Sequence, residues 1–114
     1  MGDPGISFIV VNLLIMTMSD ANVAIIRNYF KDKPVLKAYV FGSCARGDAD
    51  LESDIDILVE LDYSERIGFK YFQMQLELQS LLKKEVDLVS EQSVSRHVRP
   101  YIEKEKKLIY ERSA

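Results

Sequence analysis

The sequence predicts an α/β (α+β) fold, a single mixed β-sheet with helices packed on it. Three observations carry that expectation. Two short runs, residues 35–41 (VLKAYVF) and 54–61 (DIDILVEL), are rich in the β-branched and aliphatic residues of strands. Around them, apolar residues recur at three- and four-residue steps, the spacing of one helix face. At 114 residues, with 47% hydrophobic and 29% charged content, the chain suits one globular domain with a core of its own.

In chain order, Ser19 or Asp20 caps a first helix with Val23, Ile25, Ile26 and Phe30 along its apolar stripe. Lys33-Pro34 ends it, because the residue before a proline is pushed away from helical geometry. The first strand runs from Val35 to Phe41 and stops at Gly42, a residue that accepts unusual backbone angles and close approach of a ligand. Ser43 stands where an N-cap belongs, ahead of a short helical turn through Ala45 and Arg46. A second strand extends from Asp54 to about Leu61. Ser64 and Glu65 open a longer helix, with Ile67, Tyr71, Met74, Leu78, Leu81 and Leu82 on its face and Gly68 tolerated within it. A third strand over residues 85–89 follows. The tail from Gln92 to Ile109 reads as partly helical, interrupted near Pro100, giving the order α-β-α-β-α-β-α.

Composition excludes some functions. A formal charge of −3 argues against a general grip on nucleic acid, which needs a basic face. A DNA polymerase would also need a second domain to hold primer and template, and the chain has no length for one. The single cysteine forms no internal disulfide, in keeping with a reducing cytoplasm. Residues 6–18 (ISFIVVNLLIMTM) are nearly all apolar but short of the roughly 20 residues a membrane helix needs, and Asp3 precedes them where a secretory leader carries basic residues. The preferred explanation is an upstream start, with Met16 or Met18 the initiator; the others are an extra element packed on the domain and an association segment. Wherever that segment is present it seeks burial against a partner chain, which would make a homo-oligomer.

Chemistry concentrates in Gly42-Ser43-Cys44-Ala45-Arg46-Gly47 and Asp54-Ile55-Asp56-Ile57. In a strand, residues i and i+2 share a face, so Asp54 and Asp56 project together while Ile55, Ile57 and Val59 point the other way. Two carboxylates about 4 Å apart repel by roughly 4 kcal/mol at an effective dielectric of about 20. A shared proton or a bound cation offsets that, and hard oxygen ligands suit Mg²⁺. Two solvated aspartates at a strand end would show the same spacing. The Gly-Ser half adds free backbone N–H groups at a helix start, which attract phosphate, with Ser43 and Arg46 as further donors. Taken alone it is an ordinary strand–turn–helix junction.

Together, GSCARGDADLESDIDILVEL resembles the signature of the polymerase-β-type nucleotidyltransferases, specifically the small stand-alone ones called minimal nucleotidyltransferases. Ala45-Arg46-Gly47 and Ser53-Asp54-Ile55-Asp56 match additions found in the small members, and Val86-Asp87-Leu88-Val89 fits the place of the family's third carboxylate. The likeness covers residues 35–90; Cys44 fills a variable slot. It implies a polymerase-β-like nucleotidyltransferase fold over residues 19–114, with 1–18 as an apolar extension. It further implies Mg²⁺, one ion or two, held by Asp54, Asp56 and Asp87, which also act as the catalytic residues. Gly42 and Ser43 would bind the β- and γ-phosphates of ATP, with Arg46 assisting. The implied reaction passes a nucleoside monophosphate, AMP from ATP, to a hydroxyl. Small members of the family act as antitoxins that modify a tyrosine of a small all-helical toxin partner.

The remaining residues read as structure. His97 is expected on a partly exposed helix, Cys44 lacks a base beside it, and Tyr101 and Tyr110 are expected to pack. The basic residues Arg96, Arg99, Lys104, Lys106, Lys107 and Arg112 alternate with glutamates and read as a solvated face. Two other classes compete with an enzyme: a non-catalytic module that neutralises its partner by covering it, and a nucleotide-sensing regulatory domain. Intact aspartates favour catalysis over both.

Overall fold

A computed structural model describes residues 20–42, 45 and 54–113. Helix α1 spans Asp20–Phe30, strand β1 Val35–Phe41, strand β2 Ile55–Leu61 and helix α2 Lys70–Leu82. Strand β3 (Val86–Ser90), a 3₁₀ turn (Glu91–Ser93), helix α3 (Arg99–Glu105) and strand β4 (Lys107–Glu111) complete the order. The sheet runs β3-β2-β1-β4, with β1 antiparallel to both β2 and β4, and β2 parallel to β3. The mixture follows from the connections, because parallel strands need a long crossover and α2 supplies it between β2 and β3.

One face of the sheet and the helices on it make the main core. Ile26 and Phe30 of α1 and Met74, Leu78 and Leu82 of α2 pack with Val40, Ile55, Ile57, Val59, Val86 and Leu88 from three strands. Val23 and Ile25 are half-buried against this cluster. In β1, Val35, Ala38 and Val40 are all buried, although strict alternation would place Val35 and Ala38 on opposite faces. A register shift between Val35 and Lys37 resolves this, since a bulge lets the strand turn an extra residue. Burying a ring such as Phe30, fully enclosed here, stabilises the fold by about 1.5–3 kcal/mol. Leu58 and Ile102 are buried outside that cluster, so the second face is covered too.

Several expectations change. The tail ends in a strand, not a helix: β4 pairs with β1 through Ala38↔Tyr110 and Lys37↔Glu111. Pro100 does not interrupt a helix but sits in the first turn of α3, where a proline costs no hydrogen bond. Helix α2 starts at Lys70 rather than at Ser64, and Gly68 lies before it with φ +45°, serving the turn. Leu81, expected on the core face, is half-exposed. Tyr110 packs, its ring 5.8 Å from that of Phe30, whereas Tyr101 is exposed. His97 is exposed in a turn ahead of α3.

Nor is the basic tail uniformly solvated. Arg112 donates to Asp62 Oδ2 at 2.6 Å and to the Lys33 carbonyl at 2.8 Å, with Glu65 Oε2 at 3.4 Å. Lys106 lies 4.2 Å above the Tyr39 ring, a cation–π contact. Arg112 thereby ties the chain end to the α1–β1 turn and to the exit of β2. The Ser64 hydroxyl, Arg112 and the Ser64 amide together hold the Asp62 carboxyl down at about 2. A depressed folded value means that Asp62 stabilises the fold fully above its ordinary value of 3.8, and that this contribution disappears as pH falls toward 2. Wild type should therefore lose stability toward urea between pH 4 and 2 more steeply than Asp62→Asn; parallel curves would remove Asp62 from the acid transition.

Candidate active site

The sheet register brings the acidic residues to one end of three strands. Phe41, the last residue of β1, pairs with Asp56 of β2, and Asp56 pairs with Asp87 of β3. Partners in neighbouring strands share a face about 4.8 Å apart, so the Asp56 and Asp87 side chains stand together. The next row inward, Val40–Ile57–Leu88, is fully apolar and buried, which pins this register from below. Asp56 is half-buried, and Asp54 and Asp87 are exposed. Asp54 stands one residue ahead of β2, where the pleat keeps it on the side of Asp56.

Gly42 completes the floor. Its φ of +72° lies in the left-handed region, and its carbonyl accepts a bond from the Ala45 N–H at 3.1 Å, closing one helical turn. Ala45 is buried beneath that turn. A Cβ at Gly42 would run into Asp56 Oδ2, with Cγ only 3.4 Å away. The glycine is therefore required twice, by its backbone angle and by the carboxylate lying against it. Ser43 and Arg46 lie outside the described residues.

Among the described residues, no three His, Cys, Asp or Glu side chains gather into a ready metal cage. The aspartates thus offer an adjacent pair, Asp56 and Asp87, with Asp54 at the mouth of the strand. Such an open set of carboxylates fits Mg²⁺, which keeps several waters and takes ligands from substrate phosphates as well as from one or two carboxylates.

Helix α2 grips the strand that carries Asp87. Gln79 Oε1 accepts from the Val86 N–H at 3.2 Å and Gln75 Oε1 from the Leu88 N–H at 3.3 Å. The Tyr71 hydroxyl donates to the Leu88 carbonyl. Burial pushes the Tyr71 phenol up; a backbone bond at Ser90 opposes this, and the charge of Asp87 adds to the rise. Sequence reasoning placed Tyr71 on the apolar face and gave the two glutamines no role. Their spacing, four residues apart in a helix beside a short strand, was the available signal. A separate cavity of about 610 Å³ lies between α1 and β4, lined by Arg27, Lys31 and residues 108–113, and holds none of the aspartates.

Comparison with known proteins places this geometry. The family described as Polymerase beta, Nucleotidyltransferase matches residues 24–114. The chain belongs to that family. A Methanocaldococcus jannaschii protein named "Putative protein adenylyltransferase MJ1379" is 39% identical over 88 residues, covering 74% of this chain and 85% of its own. A chain of a toxin–antitoxin crystal structure with AMP-PNP superposes with a TM-score of 0.64 at 25% identity, over 82% of this chain and 74% of that one. A chain from a complex of tri-AMPylated Shewanella oneidensis HEPN toxin with MNT antitoxin has a TM-score of 0.62 over 82% of this chain and 73% of its own; at 23% identity it shows the fold alone. The protein is a nucleotidyltransferase with the minimal, polymerase-β-like fold read from its motif. Among the described residues no helix is long and apolar enough to cross a membrane.

Gly42→Ala tests how closely the turn and the carboxylate are fitted. It should cost about 1–2 kcal/mol of stability from the left-handed backbone alone, measured by urea denaturation. Nucleotidyl transfer should fall further than that loss explains, because Asp56 is displaced. A variant with wild-type transfer would show that Asp56 needs no such floor.

Proposed function

We propose that this nucleotidyltransferase moves AMP from ATP onto a hydroxyl of a partner protein, a tyrosine of a small all-helical toxin, and so acts as an antitoxin. The observation that carries this reading is the pairing of Asp56 with Asp87 across β2 and β3, with Gly42 against the Asp56 carboxylate. The relative named for protein adenylylation and the likeness to toxin–antitoxin chains support the choice of acceptor.

In chemical terms, the acceptor oxygen forms a bond to the α-phosphorus of ATP while the bond to the bridging oxygen breaks and pyrophosphate leaves. Asp54, Asp56 and Asp87 would hold Mg²⁺, which when bound neutralises the charge that builds on the phosphates. Asp87, the exposed member of the pair, would take the proton from the attacking hydroxyl. Gly42 lets the phosphates approach its backbone, because nothing projects from its Cα. Ser43 and Arg46 contribute donors to the β- and γ-phosphates in this reading. Asp54 and Asp87 are exposed, which suits an acceptor as large as a protein.

Incubation with Mg²⁺, ATP labelled in the α-phosphate and a small helical protein encoded beside this chain should label that partner. Asp54→Asn with Asp56→Asn should abolish labelling while the domain stays folded by circular dichroism. Asp87→Asn alone should slow transfer by roughly 10²- to 10⁴-fold, the usual worth of a general base. Label-free partner that is nonetheless neutralised would mean a binding module, and ATP bound without pyrophosphate release would mean a nucleotide sensor.

A further inference from the structure

Strand β3 is five residues long and has one neighbour, β2, so its outer row of peptide groups faces away from the sheet. A short edge strand with open donors and acceptors is the least protected part of a sheet. Here that row is occupied. Tyr71, Gln75 and Gln79 project from one stripe of α2, four residues apart, and engage Val86 N–H, Leu88 N–H and Leu88 C=O. These are the peptide groups on either side of Asp87. The inner side of the strand is held by β2 through Ile55↔Val86, Asp56↔Asp87 and Ile57↔Leu88.

Core packing does not require this arrangement. Met74, Leu78 and Leu82 bury the adjacent stripe of α2 in the core, and the Tyr71 ring packs at its edge, whereas the Gln75 and Gln79 side-chain amides add no apolar burial. What the polar groups of this stripe add to packing is directional: three hydrogen bonds to the backbone of β3. We propose that Tyr71, Gln75 and Gln79 are positioning residues that hold the Asp87 carboxylate in place beside Asp56 for nucleotidyl transfer. None touches substrate; each acts through the backbone of β3. The inference rests on the reading that Asp87 takes part in the reaction.

The test uses the full chain with Gln75→Met and Gln79→Met together, since methionine keeps the shape of glutamine and removes the acceptor. Tyr71→Phe, which deletes one hydroxyl and leaves the half-buried ring, serves as an independent variant should the double change fail to fold. Amides of Val86 and Leu88 should exchange with deuterium faster in the methionine variant, with the α1 amides unchanged. The rate of AMP transfer at saturating ATP should fall by about 10- to 100-fold, the scale of a small misplacement of a catalytic group. The KM for ATP should stay within about twofold, as for an interaction made only in the transition state. Tyr71→Phe should slow transfer in the same way and to a smaller extent. In an Asp87→Asn background the same changes should cost nothing more, because the group they position is gone. Unchanged transfer in both variants, or a full further loss on top of Asp87→Asn, overturns the proposal. Asp87→Asn with wild-type transfer would instead bring down the reading of the site, and is told apart because that variant leaves α2 untouched.

Discussion

Two negative charges held side by side are the constraint around which this domain is built. Asp56 and Asp87 are register partners on neighbouring strands, and like charges directly opposite one another disfavour a pairing. No strand pairing would choose that contact for its own stability. It persists because the rows beneath it are apolar and can be satisfied in one register only. A slip of β2 by one residue would turn Ile55, Ile57 and Val59 out of the core together. The core thus imposes the carboxylate pair on the rim of the sheet.

Position along the strands keeps the desolvation cost low. Asp54 and Asp56 lie at the start of β2, and Asp87 is the second residue of β3, so all three sit at the rim of the sheet. One row deeper, each would be walled in by Val59, Leu88 and their neighbours and would need a permanent partner. Gly42 serves the same end from β1, where any side chain would displace the Asp56 carboxylate.

What could be read in the sequence follows from where each signal resides. Val35–Phe41 and Ile55–Leu61 are strands with dense apolar content, and their boundaries were legible within a residue. Gly42, Asp54, Asp56 and Asp87 were legible because the motif couples residue type to spacing. β4 was not. It buries only Ile109 and Tyr110, which are adjacent and so show no alternation, and it becomes a strand by pairing with β1, about 70 residues earlier. The start of α2 was misplaced because Asp62 and Ser64 spend their polar groups on each other, and Asp62 on Arg112, building a turn where a cap was expected. Arg112 was read as solvated since its three acceptors, on Asp62, Lys33 and Glu65, are distant in the chain. The candidate site could be read only as a list of residues; that Asp56 and Asp87 are register partners required the sheet.

Both free edges of the sheet end on side chains borrowed from helices. On the β3 side α2 supplies Tyr71, Gln75 and Gln79, and on the β4 side Arg27 of α1 donates its Nε–H to the Ile109 carbonyl at 2.7 Å. A four-stranded sheet in a chain this small has two edges and few residues to cover them, so helices that pack the core on one stripe must also close an edge with the next. That double duty makes the domain economical but couples its parts. A change in how α2 lies on the core reaches the backbone around Asp87 through three hydrogen bonds. A change in α1 reaches α2 in turn, through the core shared by Ile26 and Phe30 and through the Tyr29 hydroxyl, which donates to Glu77 Oε1 at 2.9 Å.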